Sequence, residues 1–202
     1  CSRKFARLIA RGCEGSVVRA YRLCYPAGLP MVVVKVGNFG FRTEVQRTGW
    51  QEFRPRRLAG NYRLEKRMRL HISHLRQGKL LDEWEVLNEV VVCRGEMVRP
   101  VNLVARVEGY TLASYVADGL IASTPTGSTA YALAMDGPVL PPELRNILLV
   151  PIAPHMSFDR AIVLSEGAEV NITVQTRHDA VLSADGQPPV KVVNGDEVLV
   201  KA

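Results

Sequence analysis

The sequence predicts a small N-terminal α/β fragment followed by a mostly antiparallel β-sandwich domain. Three observations lead there. A short amphipathic helix at 17–24, VVRAYRLC, runs into an apolar β-branched segment, LPMVVVKV at 29–36, of the kind found in a strand covered on both faces. From Tyr62 the period changes to two: Tyr62, Leu64, Met68, Leu70 and Ile72 alternate with Arg63, Glu65, Arg67, Arg69 and His71, the pattern of a strand with one wet face. Short apolar runs then recur to the last residue, with one helical interruption at 128–135.

Gly12-Cys13-Glu14-Gly15-Ser16 stands before the first helix. Ser16 is a natural N-cap, and the two glycines permit the tight backbone that presents amide N–H groups to an anion at a helix N-terminus. Within the helix Val17, Val18, Tyr21 and Cys24 share one face, Arg19 and Arg22 take the other, and Pro26 with Gly28 closes it. Further strands are expected at 85–93, 102–108, 119–123, 147–152, 169–176, 180–184 and 197–200. The change of pattern near residue 45 divides the chain into an α/β fragment at 1–45, carrying the glycine loop, and a β domain at 46–202.

Of the 202 residues, 47% are apolar and 23% charged, which suits a folded chain and excludes disorder as the main state. No stretch reaches the roughly 18 unbroken apolar residues of a membrane span. The opening CSRKFARLIARG lacks the apolar core and cleavage site of a secretory signal, so a cytoplasmic protein with no membrane partner is expected. Cys1, Cys13, Cys24 and Cys93 form no CxxC pair and no metal-ligand rhythm; neither a zinc site nor a disulfide framework is expected. The net charge of +6 comes from 20 Arg and 6 Lys against 20 acids, and the guanidinium fork suits phosphate-bearing partners. Between Arg42 and Arg76, however, the arginines alternate with apolar residues as on a strand's wet face, so no nucleic-acid partner is expected. The first residue is Cys rather than Met, which suggests a processed, trimmed or partial chain.

Most of the chemistry lies in 117–138, ADGLIASTPTGSTAYALAMDGP. Asp118 precedes a short strand, and a loop rich in hydroxyls and glycine around Pro125 then opens a helix at Thr129-Ala130-Tyr131. Such a loop offers hydroxyls, bare amides and a helix N-terminus to a ligand carrying phosphate and ribose, although the same residues also make a plain capped turn. Asn88 and Glu89 sit in the apolar LNEVVV run. Adjacent strand residues face opposite sides, so at least one of the pair needs a buried partner, unless the two simply end the sheet pairing. Tyr131 could equally be a core residue, His155 behind Pro154 reads as a turn brace, and His71, His74 and His178 have no identifiable partner.

The 117–138 segment resembles the signature of the NAD kinases, which phosphorylate the adenosine 2′-hydroxyl of NAD. Similar runs follow the family's order elsewhere: Gly12 to Arg22, Asn38 to Val45 (NFGFRTEV), Leu87 to Val92, Pro151 to His155 followed by Arg160, and Asp185-Gly186-Gln187. The resemblance implies a Rossmann-like α/β lobe before the β domain, and a site to which both contribute. Gly12, Gly15 and Ser16 would cradle donor phosphates, with Glu14 in the place of the catalytic base. Asn88 and Glu89 would hold the ribose diol on the nicotinamide side, and Asp118 the nicotinamide amide or its neighbours. Thr129, Ala130 and Tyr131 would border the adenosine, Phe41 would pack beside adenine, and Asp185 would complete the substrate-binding set. Magnesium or another divalent cation, ATP or polyphosphate as donor, NAD as substrate and a homodimer or homotetramer are further implications.

Four departures qualify the resemblance. Cys13 stands for a glycine, Glu14 for an aspartate, Ser16 for a threonine, and Ala134 for a frequent serine. Glutamate's extra methylene displaces the carboxylate by more than ~1 Å, enough to cost on the order of 100-fold in rate. That leaves open a second reading, a catalytically impaired NAD(P)(H)-binding module of the same fold. Family members also carry at least one further βα unit before the glycine loop and a C-terminal tail, so a partial or naturally reduced chain is expected.

Overall fold

The structure, a computed structural model, describes residues 8–12, 14–35, 45–46, 49–95 and 99–202, without the side chains of residues 14, 35, 45, 46, 50 and 57. Two compact units result, Cys1–Lys66 and Arg67–Ala202.

In the first unit, Val32, Val33 and Val34 bury the middle strand of a three-stranded parallel sheet. The strands are β1 (Leu8–Gly12), β2 (Met31–Lys35) and β3 (Val45–Gln46), with β2 paired to both neighbours. Helix α1 (Glu14–Cys24) joins β1 to β2 as the crossover that a parallel pair requires. It buries Val17, Val18 and Cys24 and leaves Leu23 exposed. A short turn over Tyr25–Ala27 ends at Gly28, whose φ of +61° lets its N–H reach the Tyr25 carbonyl. Because α1 begins at Glu14, Ser16 lies inside the first turn and is not the N-cap that its side chain suggested. Chain and helix approach so closely here that a Cβ on Gly12 would fall 2.6 Å from the Ser16 Cβ. Helix α2 (Trp50–Leu58) is not marked by local pattern; Pro55 lies inside it, and Arg54 and Arg56 leave it without an apolar stripe.

The second unit is a sandwich of two six-stranded antiparallel sheets. One sheet is ordered β5-β4-β15-β12-β7-β8, from β4 (Leu70–Arg76), β5 (Lys79–Val86), β7 (Val101–Val107), β8 (Tyr110–Ala117), β12 (Val170–Val174) and β15 (Glu197–Lys201). The other is ordered β11-β10-β9-β6-β13-β14, from β6 (Glu89–Arg94), β9 (Gly119–Ser123), β10 (Asn146–Ile152), β11 (Ile162–Ser165), β13 (Ala180–Ala184) and β14 (Val190–Val192). Leu70, Ile72, Leu103 and Ile172 of the first sheet meet Val90, Val92, Leu120 and Leu182 of the second in one fully buried core. The second sheet is also covered on its outer face, where Val91, Ile121, Leu148 and Val150 pack with Ala132, which is why every residue of β9 is buried.

The alternation that begins at Tyr62 becomes a strand only at Leu70. Residues 61–69 have no regular structure, and Tyr62 and Leu64 are exposed, because no partner strand extends that far. Neither β8 nor the edge strands β11 and β14 were anticipated, and β5, almost wholly exposed over its first five residues, was read only at its end.

One polar cluster is built into the sandwich core. Asp196 is fully buried, with Oδ1 accepting from Arg76 Nε at 2.8 Å and Oδ2 from the Val193 amide at 2.9 Å. His74, also buried, places Nε2 2.9 Å from the same Oδ2 and Nδ1 3.6 Å from Asp82. Burial pushes the Asp196 carboxyl up, but the hydrogen bonds from Arg76, Val193 and His74 and the Arg76 charge outweigh it and bring it down to about 2. A carboxyl depressed from 3.8 to about 2 contributes stability above pH 3.8 that disappears as pH falls toward 2. Urea unfolding between pH 6 and 2 should show about 2 kcal/mol of such loss in the wild type. Asp196→Asn should be less stable at neutral pH and show correspondingly less loss over that range.

Candidate functional site

The chain crosses from one sheet to the other at Leu87-Asn88, between β5 and β6, and a crossing leaves backbone amides without ladder partners. Asp185 supplies the acceptors. Its Oδ2 accepts from the Leu87 amide at 2.8 Å, and its Oδ1 from Asn88 at 2.8 Å and Glu89 at 3.1 Å. The Asp185 amide donates back to the Glu89 carbonyl at 2.9 Å. Asp185 and Gly186 both take positive φ, +48° and +65°, in the turn between β13 and β14, a conformation that Asp tolerates and Gly favours. Asp185 thus spends its carboxylate on the backbone that carries Asn88 and Glu89.

Both polar side chains at this crossing are buried, Asn88 being 7% exposed, and its Oδ1 has no hydrogen-bond partner among the described residues. An acceptor so placed costs about 1–3 kcal/mol unless a ligand donor reaches it, and a ribose hydroxyl is such a donor.

The loop after β9 packs directly on this crossing. The Thr124 amide donates to the Asn88 carbonyl at 2.8 Å, Thr124 Oγ1 to the Leu87 carbonyl at 2.6 Å, and Ser123 Oγ to the Asn88 carbonyl at 3.1 Å. A Cβ on Gly127 would lie 2.2 Å from the Asn88 carbonyl oxygen, so only glycine fits there. Ser128 Oγ donates to the Pro125 carbonyl at 2.7 Å and accepts from the Leu140 amide at 3.0 Å. The hydroxyls of Ser123, Thr124 and Ser128 therefore hold the loop to its own backbone and do not face a ligand. The expected helix at 128–135 is a tight turn over Gly127–Thr129 and then one helical turn, α3 (Tyr131–Ala134), with Ala130 non-helical between them. Thr129 and Ala130 are half-buried and Tyr131 is 41% exposed, the surface this loop offers beside Asn88.

Asp118 lies elsewhere. It occupies the crossing from β8 to β9, and β9 pairs Gly119 with Cys93 and Ser123 with Glu89. Asp118 and Glu89 are thus at opposite ends of the β6/β9 pair, about 16 Å apart at roughly 3.3 Å per residue. Its Oδ2 is 3.0 Å from Arg94 Nη2, and His155 Nε2 is 4.0 Å from Oδ1. Within the first unit β1 ends at Gly12, α1 begins at Glu14, and Gly15 is exposed. Cys13, Phe41 and the Glu14 side chain lie outside the described residues. Thr124 and Gly127 were not singled out by sequence; the glycine inside STPTGST was their only signal.

Asp185→Ala should leave three buried amides unsatisfied and lower unfolding stability by about 3 kcal/mol, with Asp185→Asn, which keeps one acceptor oxygen, losing about half as much in chemical denaturation.

A sequence profile of the ATP-NAD kinase C-terminal domain matches residues 87–202. The chain is 40% identical over 200 residues to an NAD kinase of Heliobacterium modesticaldum, covering 98% of this chain and 71% of that protein. It is 37% identical over 194 residues to one of Chloroflexus aurantiacus, covering 96% and 70%. Among solved structures, yeast NADH kinase complexed with NADH superposes with a TM-score of 0.88 at 25% identity, covering 98% of this chain and 58% of that one. An Archaeoglobus fulgidus NAD kinase in complex with ATP, at 23% identity and a TM-score of 0.77, shares the fold. On the profile match over more than half of its length and the 40% identity to a relative covered to 71%, the chain belongs to the NAD kinase family.

Proposed function

We propose that the protein phosphorylates the adenosine 2′-hydroxyl of NAD to give NADP, with ATP or polyphosphate as donor. Family membership supports this, and so does Asn88, whose buried Oδ1 lacks a partner beside the Thr129–Tyr131 surface. The β domain at 46–202 would hold NAD through Asn88 and Glu89, with Thr129, Ala130 and Tyr131 along the adenosine. Asp185 would keep Asn88 and Glu89 in place through their backbone. The fragment at 1–45 would hold donor phosphates on the Gly12, Gly15 and Ser16 turn, with Phe41 against adenine and Glu14 taking the proton from the attacking hydroxyl. Magnesium would arrive on the donor's phosphates, as it commonly does with nucleotides. Catalysis then rests on positioning and charge, as phosphoryl transfer requires. The alternative of a binding module without turnover is not favoured, because relatives matched over nearly the whole chain are NAD kinases.

Asp118, about 16 Å from Glu89 in one chain, would reach nicotinamide only in a second copy's site, which fits the proposed homodimer or homotetramer. No helix among the described residues is long and apolar enough to cross a membrane, and we place the reaction in the cytoplasm.

Incubated with NAD, ATP and magnesium, the protein should form NADP, and Glu14→Gln should lower kcat on the order of 100-fold or more. A wild-type protein that makes no NADP overturns the activity, and an undiminished variant overturns the role of Glu14. Asn88→Ala should weaken NAD binding roughly tenfold by calorimetry with little change in melting temperature, because Oδ1 has no partner to lose among the described residues.

A further inference from the structure

The Asn88 cluster occupies one end of the sandwich. At the other end described residues of three segments lie together: Arg99 and Pro100 before β7, 175–178 after β12, and Asn194 and Gly195 between β14 and β15. They line an open hollow of about 810 Å³, within the size range of small-molecule sites. Backbone hydrogen bonds hold its walls. The Gln175 amide donates to the Asn102 carbonyl at 2.7 Å, Gly195 to Val174 at 2.8 Å and Gly95 to Asp179 at 2.7 Å. Thr176, buried at the base, accepts from the His178 amide at 3.2 Å.

Cationic and polar side chains line part of the hollow. Arg99, Arg177 and His178 face it together with Asn102, Thr176 and Asn194, and no carboxylate lines it among the described residues. Neither arginine has an ion pair among the described residues, although the flanking acids do: Asp179 is held by Lys191 at 2.6 Å, and Asp196 by Arg76 and His74. The positive potential of this hollow is therefore not cancelled by its neighbours. Guanidinium groups over a wall of amide and hydroxyl side chains match tetrahedral anions, which accept several hydrogen bonds at once.

The geometry points to a binding site for a phosphate-bearing small molecule between Arg99, Arg177 and His178. It is separate from the Asn88 site, because β6 and β13 run the length of the sheet between them. The assignment makes no use of the kinase reaction, so either can fail without the other. It also gives a role to part of the arginine excess that the proposed reaction leaves unexplained.

The test is an NMR titration of the full chain with sodium tripolyphosphate and, separately, with ADP, against sodium chloride at matched ionic strength. Saturable shifts at the Thr176, Arg177 and Asn194 amides are expected. Their apparent affinity should fall at least tenfold in Arg99→Ala/Arg177→Ala and stay unchanged in Asn88→Ala. Saturation with tripolyphosphate identifies an inorganic polyphosphate ligand, and saturation with ADP alone a nucleotide. Absence of saturation with both, shifts reproduced by sodium chloride, or equal affinity in a double variant that keeps the wild-type melting temperature would each overturn the site.

Discussion

A single carboxylate holds the candidate site together. Where the chain leaves β5 and enters β6 it must change sheets, and the amides of Leu87, Asn88 and Glu89 have lost the ladder that would otherwise satisfy them. Asp185 accepts all three from a hairpin about a hundred residues further along the chain. That contact fixes the height at which Asn88 enters the core and the register between β6 and β13. It also fixes the surface on which the 123–131 loop is laid. Had the crossing been satisfied by water, Asn88 could turn outward and hydrate its own amide; held as it is, its Oδ1 is buried and unpaired among the described residues.

The sandwich turns a general difficulty into a location for chemistry. Strand interiors satisfy their own backbone and bury their side chains, so the polar groups left over accumulate where strands change sheets. At one end these are Asn88, Glu89 and Asp185; at the other they are Asp118 with Arg94, and the hollow lined by Arg99 and Arg177. Polar groups are thereby divided between the two ends of the sandwich, whose middle is an apolar core.

The hydroxyl-rich loop shows how a correct motif can carry an incorrect picture of its contacts. By type, the serines and threonines of STPTGST could bind a ligand directly, yet Ser123, Thr124 and Ser128 point into their own backbone and onto the Asn88 carbonyl. Their work is to make a short segment stiff and to bring it against the crossing, a fit that Gly127 alone permits. Beyond them Thr129 and Ala130 are half-buried and Tyr131 is exposed. Similarly, His74 showed no partner in sequence because Asp196 lies 122 residues away.

Local pattern by itself determined the sandwich strands whose two faces differ or whose run is uniformly apolar. β4 from Leu70, β9, β12 and β13 are cases in which each residue's burial follows from its own hydrophobicity and that of its neighbours. The same holds for α1 and β2, and ordered motifs were enough to suggest the family. Only the tertiary structure decided that α2 is a helix, that the alternation before Leu70 is not a strand, and that the polar β5 belongs to a sheet. It alone also separated Asp118 from Asn88 and turned Asp185 onto backbone amides. Each of those outcomes depends on which distant segment supplies the missing hydrogen-bond partner, and that pairing is a property of the closed sheets that no short window of residues contains.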